Sequence, residues 1–371
     1  MLLSERDADL LRLVYWCQYI LPSDAQSISS KEEIADLVRL GLLKLHKNSG
    51  AYVITGRGIM LLRDMLDGKC PEVSQSYHAA AIERRLRLSA LALTAYRAGL
   101  NLFTSSTEDL LADCSLFLTV HGRARGKNPW GSTRIAAVAH MGGLVCGFHA
   151  IYPEIGNLAL TDEMGAFENN TNHVLCESHA LFFAGKSYGA VIEELKRQSR
   201  PEKQSKLVPY REAYHSLELP IHLLSCDEVG AMQLKIMSIP HYRMKLTKAA
   251  LAPHYRSPPE DAPEWDAMYG GCPVILAADM NLHRIDAGIA RAKERGHARV
   301  SLLSLQEQVG VLLSRYREDC FVGFYCLSDP ALQRFSDVPM RLHRPRPTQY
   351  LTEKGGVIDT PLIQSYRKAG R

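Results

Sequence analysis

Arg39-Leu40-Gly41-Leu42-Leu43-Lys44-Leu45-His46-Lys47-Asn48-Ser49-Gly50-Ala51-Tyr52-Val53-Ile54-Thr55-Gly56-Arg57-Gly58-Ile59-Met60-Leu61-Leu62-Arg63 is the stretch on which the fold turns. It closes one helix, makes a basic hairpin and opens another helix. Gly41 stands where a helix end needs a left-handed residue, a conformation glycine takes without a Cβ clash. Leu42, Leu43 and Leu45 alternate imperfectly with Lys44, His46 and Lys47, Asn48-Ser49-Gly50 supplies turn chemistry, and Tyr52-Val53-Ile54 makes the return strand. Thr55 can cap a following helix that runs through Leu66. Upstream, Ser4 caps a helix from Glu5 to Tyr19, with Asp7 three residues on and Leu10, Leu11, Leu13, Val14, Cys17 and Ile20 at helical spacing. Pro22-Ser23-Asp24 starts a short second helix to about Ile28. Ser29 or Ser30 caps a third to Leu40, with Ile34, Leu37 and Val38 on one face. Helices followed by a hairpin in this order spell a winged helix-turn-helix, so double-stranded DNA is the expected partner.

Charge supports that expectation. From Met1 to Asp36 there are seven acids and three bases, whereas Leu37 to Arg63 holds five bases and no acid. The basic part is the end of the recognition helix plus the wing, the elements that face phosphate in this fold. The expected contact set is Lys31, Arg39, Lys44, His46, Lys47, Asn48, Arg57 and Arg63. Glu32, Glu33 and Asp36 oppose deep insertion of the early recognition helix into the major groove. The plainer alternative is a small packed domain that touches another protein, since a fold does not assign a function.

The opening Leu2-Leu3-Ser4-Glu5-Arg6-Asp7, the wing exit Ile54-Thr55 with Gly58, and Tyr77-His78 leading into a long amphipathic helix resemble the replication-relaxation family of plasmids and integrative conjugative elements. The resemblance covers residues 1–100. It implies an N-terminal winged helix, a role in plasmid replication, DNA relaxation or transfer, and replication or transfer proteins as further partners. Some members of that family carry a nuclease-like C-terminal part, whose acidic and lysine motif has no evident counterpart here.

At 371 residues the chain has room for more than one core. The net charge of +4 is too mild to attract DNA, so local clustering has to do it. Nine cysteines are scattered with no CxxC pair, and neither a signal peptide nor a membrane-length apolar run is read, so a reduced cytoplasmic protein is expected. The expected class is α+β: a winged helix over 1–70, a connecting helix within 71–100, a mixed α/β body over 101–330, and a basic, partly extended tail over 331–371. Ala79 to Leu100 reads as one long helix that either pairs two copies of the chain or packs onto the next domain.

The body alternates strand-like and helix-like runs. Strands are expected at 116–120, 134–139, 144–151, 179–183, 221–225, 274–278, 299–303 and 320–327, and helices at 190–197, 227–237, 285–294 and 305–316. Met141-Gly142-Gly143 and Tyr269-Gly270-Gly271 read as hairpin or loop turns, because neither has the strand-then-helix order of a phosphate loop.

Chemistry is harder to place. His173-x-x-Cys176-x-x-His179 is the densest ligand-like cluster, but no second close pair completes four ligands, so no metal or other cofactor is expected. A nuclease would need acids and a lysine converging from adjacent strands, for which Glu154, Asp162, Glu163, Glu168 and Lys186 are the candidates. Arg123, Arg125, Lys127 and an exposed Trp130 could form a second nucleic-acid patch on a mobile loop, or a solvated hairpin with Trp130 packed on the domain edge. The expected role is a DNA-binding accessory or regulatory protein of a mobile element. A diverged nuclease targeted by the winged helix and a protein-interaction scaffold are the alternatives.

Overall fold

The computed structural model describes residues 3–66, 78–123, 130, 133–152, 158–197, 207–316, 321–336, 350–351 and 357–358. It is a mixed α+β chain that divides into two compact units, one of Met1–Leu93 with Arg123–Lys127 and His343–Arg371, the other of Thr94–Gly122 with Asn128–Leu342. Among the described residues no helix is long and apolar enough to cross a membrane.

In the first unit, β1 (Leu3–Ser4) leads into α1 (Glu5–Cys17), where Ser4 and Asp7 form a reciprocal capping box. The helix stops two residues before the expected Tyr19, because Gln18 turns to φ +68° and frees Ile20 to bridge to Tyr52. Next come α2 (Pro22–Gln26) and α3 (Lys31–Arg39), the latter capped by a second box between Ser30 and Glu33. Gly41 takes φ +70°. Then β2 (Leu43–Leu45) pairs antiparallel with β3 (Tyr52–Ile54), with Leu43 opposite Ile54 and Leu45 opposite Tyr52. Thr55 caps α4 (Gly56–Met65), accepting from the Gly58 amide at 3.1 Å. A Cβ on Gly58 would lie 2.5 Å from the Leu42 carbonyl oxygen, so the start of α4 sits directly against the hairpin.

Leu10, Leu13, Val14, Ala25, Ile34, Leu37, Leu43, Ile54 and Leu62 are all buried, so α1 to α4 and the hairpin each contribute to the interior. Leu37→Ala is expected to cost about 2–5 kcal/mol, the range for emptying a leucine site that cannot fully collapse. Urea unfolding followed by circular dichroism measures it, and a loss below 1 kcal/mol on the order of a surface change would place Leu37 outside the core.

α5 (Ala79–Ala98) lays Ile82 and Leu86 against Tyr19, Ala51 and Val53, and its Ser89 hydroxyl donates to the Tyr19 carbonyl. Leu88, Leu91 and Ala92 of the same helix are buried within the single chain. Of the expected tail, the described Tyr350–Leu351 runs antiparallel to β1, and Val357–Ile358 runs antiparallel to Tyr350–Leu351, making a small three-stranded sheet.

The second unit holds β4 (Ser115–Leu118), α6 (Thr119–Arg123), β5 (Ile135–Met141), β6 (Leu144–Ala150), α7 (Leu160–Thr171), β7 (Ser178–Gly185), α8 (Tyr188–Lys196), α9 (Tyr210–Ser216) and β8 (Ile221–Ser225). It continues with α10 (Glu228–Met237), α11 (Tyr242–Leu251), β9 (Ala267–Tyr269), β10 (Cys272–Leu276), α12 (Leu282–Glu294), β11 (Val300–Ser304), α13 (Gln306–Tyr316), β12 (Val322–Cys326) and α14 (Asp329–Phe335). One sheet has the order β4-β5-β6-β7-β8, antiparallel as far as β6 and parallel beyond it. The other has the order β9-β10-β11-β12, antiparallel at its first pair and parallel thereafter.

The two sheets share a plan. Each contains a hairpin closed by Gly-Gly, β5–β6 in one and β9–β10 in the other, and extends it by two parallel strands through helical crossovers; the first sheet carries β4 as an additional antiparallel edge strand. Gly142 and Gly143 have φ +58° and +82°, and Gly270 and Gly271 have +56° and +79°, the positive pair that a two-residue turn matched to strand twist demands. The Leu223 amide donates to the Met280 carbonyl at 3.1 Å, joining β8 to the segment that leaves β10. One core runs through both sheets, with Phe183, Leu223, Trp265, Ile275, Leu302 and Leu312 among its members.

Candidate nucleic-acid interface

The hairpin and the helices flanking it carry the expected DNA-contact residues. Lys44, Lys47 and Asn48 lie exposed along β2 and its turn. His46 is half-buried: its Nδ1 is 3.1 Å from the Ser49 hydroxyl and its ring stands edge-on to Tyr19, so it holds the turn as much as it faces solvent. Arg57 is exposed in the first turn of α4 and Arg63 near that helix's other end. Six residues turn a helix by about 600°, so Arg57 and Arg63 point to different sides. Lys31 and Arg39 stand at opposite ends of α3, about 12 Å apart along its axis, and Arg39 is paired with Asp36. Lys44, Lys47, Arg57 and Arg63 make no ion pair with any described residue. Thus the hairpin groups Lys44, Lys47 and Asn48, whereas the helical members of the set are spread around it. Leu45 and Met60 are also exposed there, at 53% and 64%.

The second basic patch is corrected at its aromatic member. Trp130 is fully buried in the core of the second unit, so its indole is closed to base stacking. Arg123 is the last residue of α6, and its side chain, with Arg125 and Lys127, lies outside the described residues.

The His-Cys-His cluster does not converge. His173 places Nε2 2.8 Å from the Thr107 carbonyl, whereas Cys176 Sγ lies 3.8 Å from the His179 ring. Among the described residues no group of three or more His, Cys, Asp or Glu side chains is placed to hold a metal ion.

Of the nuclease candidates, Glu154 falls outside the described residues, Asp162, Glu163 and Glu168 ride on α7, and Lys186 is exposed in the β7–α8 connection. Glu163 is 1% exposed; one oxygen accepts from the Arg134 amide at 2.5 Å and the other lies 3.2 Å from His149 Nε2. No acid occurs on β5, β6 or β7, so the adjacent-strand arrangement that metal-dependent cleavage uses is not built from these strands.

The densest charge cluster escaped the sequence reading. Arg284, on α12, donates through Nη1 to Asp266 at 2.8 Å and through Nη2 to Asp279 at 3.1 Å and to the Leu276 carbonyl. Both carboxylates are almost wholly buried, at 5% and 1% exposure of their residues. Arg243 adds a second guanidinium to Asp266 at 2.7 Å, and the Tyr242 hydroxyl donates to Asp279 at 2.8 Å. His222 and Gln233 both donate to the Asp279 carbonyl, which ties β8 and α10 to the end of β10. Burial pushes the Asp279 carboxyl up, but Arg284, His222 and Arg243 more than offset it and hold it below the usual carboxylate range. Burial also lowers His222. These groups pair with one another, apart from Arg284 Nε, which is buried without a partner among the described residues, and they fasten secondary elements together. The signal available in the sequence was a pair of acids flanking an apolar strand, with an arginine on the next helix.

Beside Arg243 opens a cleft of about 500 Å³, lined in part by Gly142, Glu177, His241, Tyr255 and Trp265. His241 takes a left-handed φ of +56° just ahead of α11 and stands 3.8 Å from Glu177, both side chains more than half exposed. The imidazole and carboxylate of this pair are therefore solvated; the buried groups that reach the cleft, Tyr242 and Asp266, are already engaged with Asp279 and with Arg243 and Arg284. No family model, curated protein or solved structure matches the chain.

Proposed function

We propose that the first unit is a winged helix-turn-helix that binds double-stranded DNA, and that the protein is an accessory or regulatory factor in replication, relaxation or transfer of a mobile genetic element. The observation that carries the reading is the β2–β3 hairpin, which follows three capped or turn-initiated helices and holds Lys44, Lys47 and Asn48 exposed in a segment free of acids from Leu37 to Arg63. Phosphate contact by such a wing is electrostatic and releases counterions. Lys44→Ala with Lys47→Ala is expected to weaken binding to all duplex sequences and to reduce the slope of log affinity against log salt by about 2. Fluorescence anisotropy across a salt series measures this, and an unchanged slope in a folded double variant removes the wing from the interface.

Pairing of two copies through 79–100, which would hold half-sites a helical turn apart, has to use the outer face of α5, because Leu88, Leu91 and Ala92 are filled within one chain. A monomer mass by light scattering takes pairing out of the proposal. Exposed Leu45 and Met60 favour a second reading, a protein-docking surface on the same hairpin and helix. Failure of the wild type to bind duplex of any sequence at low salt supports that reading over the first.

A further inference from the structure

A smaller cavity in the second unit, about 260 Å³, lies among α8, α9, α12 and α13. Its apolar floor is Ile192, Leu195 and Leu282, with the ring of Tyr214 beside them. Its rim is basic: Lys196, Arg211, His215 and Arg315.

The polar groups here are unusually uncommitted. Tyr214 is only 6% exposed, yet its hydroxyl is buried with no hydrogen-bond partner, a state that native interiors rarely leave in place without a ligand or water. Arg211 makes no hydrogen bond or ion pair with any described residue. Arg315 shares Asp286 with the Tyr316 hydroxyl through Nη2 at 2.6 Å and donates Nε to Tyr316 at 3.1 Å, so its Nη1 makes no hydrogen bond to a described residue. Lys196 reaches only Glu193, at 2.9 Å and in solvent. Three permanent cations therefore face two carboxylates, and His215 adds an imidazole that stacks on His283 at 5.8 Å. His283 in turn packs against Tyr214 at 4.0 Å, and its Nε2 is likewise buried without a partner.

We propose that this cavity binds a nucleotide, with the base on the apolar floor, a polar atom of the base edge at the Tyr214 hydroxyl, and the phosphate at the Arg211, Arg315 and Lys196 rim. The volume bounds the size class: it is just under the usual range for a ligand pocket, enough to enclose one base and not a dinucleotide, with the phosphate outside it on the rim. An apolar floor with planar rings recognises the base face, and guanidinium groups match phosphate oxygens in pairs. The same chemistry is offered by a free mononucleotide and by one residue of a single strand. The site is independent of the hairpin and does not rest on the winged-helix reading.

Calorimetric titration of the full chain tests it, with each of the four common 5′-mononucleotides, the matching nucleoside, inorganic phosphate and a thymidine decamer as probes. At least one mononucleotide is expected to bind, with its nucleoside and inorganic phosphate each weaker by about tenfold or more. Arg211→Ala, which breaks no contact among the described residues, is expected to weaken that nucleotide by about tenfold. Tyr214→Phe, which keeps the ring, is expected to weaken it by about fivefold. A decamer that binds more tightly than the free nucleotide, and loses that advantage in Arg211→Ala, makes a single strand the source; a decamer that binds no better makes it the free nucleotide. Lys44→Ala with Lys47→Ala is expected to leave nucleotide affinity unchanged, so loss of the hairpin reading and loss of this one are separable. The proposal is overturned by no binding of any of these nucleotides or the decamer at millimolar concentration. It is equally overturned by inorganic phosphate binding as well as the nucleotide, or by wild-type affinity in both variants with melting temperatures unchanged.

Discussion

Arg284→Leu is expected to cost the second unit about 3–5 kcal/mol at neutral pH, the usual loss when one partner of a buried ion pair is removed and the other is stranded. Here two carboxylates are stranded, because Asp266 and Asp279 both lean on this guanidinium. Replacing Lys196 is expected to do almost nothing by comparison, since its pair with Glu193 sits in solvent, where such contacts contribute little.

The pH dependence has a definite sign. The folded Asp279 carboxyl lies below its unfolded value, so its contribution is present above the unfolded pKa of about 3.9 and is lost as pH falls through the folded value. In Arg284→Leu, burial dominates at Asp279 and favours the protonated form, so acid relieves the variant while it harms the wild type. The stability gap between the two should be widest at pH 7 and narrow towards pH 4. Urea unfolding at both pH values, read by hydrogen exchange over 264–290, measures it; a gap that widens in acid would sink the assignment of this cluster as a charged clamp.

Gly230→Ala is expected to be the most damaging glycine-to-alanine change among the described residues. A Cβ at this position, in the first turn of α10, would lie 1.7 Å from the Ser225 carbonyl oxygen and 2.9 Å from its carbon. That oxygen is backbone at the end of β8, so relief requires the strand or the helix to move, at about 3 kcal/mol. Gly189 of α8 and Gly310 of α13 also follow parallel strands, but nothing crowds them: a Cβ meets only Ser187 Oγ at 3.9 Å in the first case and open space in the second. Their alanine variants should gain about 0.5–1 kcal/mol from helix propensity. Thermal unfolding of the three variants side by side decides it. Equal midpoints would mean that α10 is not seated on β8 as described.

Contacts that close within a few residues could be read before any fold was known. Ser4 and Ser30 cap their helices, Thr55 caps α4, Gly41 takes its left-handed turn, and the Gly-Gly pairs at 142 and 270 close hairpins, because each depends on hydrogen bonds or φ angles among near neighbours. The strand at Ile221–Ser225 was legible from its short apolar run, and the return strand at Tyr52–Ile54 from its aromatic and β-branched residues. α7 was not. Its Gly165 and its polar end Asn169-Asn170-Thr171 are poor helix formers, and what holds it is Phe167 in the core and Glu163 against Arg134 and His149.

Trp130 was legible in part, since its Gly, Arg and Lys neighbours leave open both an exposed indole and one packed on the domain edge, and the fold takes it fully into the core. The pairing of β1 with Tyr350–Leu351, the Asp266–Arg284–Asp279 clamp and the cavity among α8, α9, α12 and α13 all join residues far apart in the chain. Local propensity sets caps, turns and periodicity, whereas strand partners, burial and charge clusters are chosen by which surfaces exclude water together, and that choice exists once the whole chain has packed.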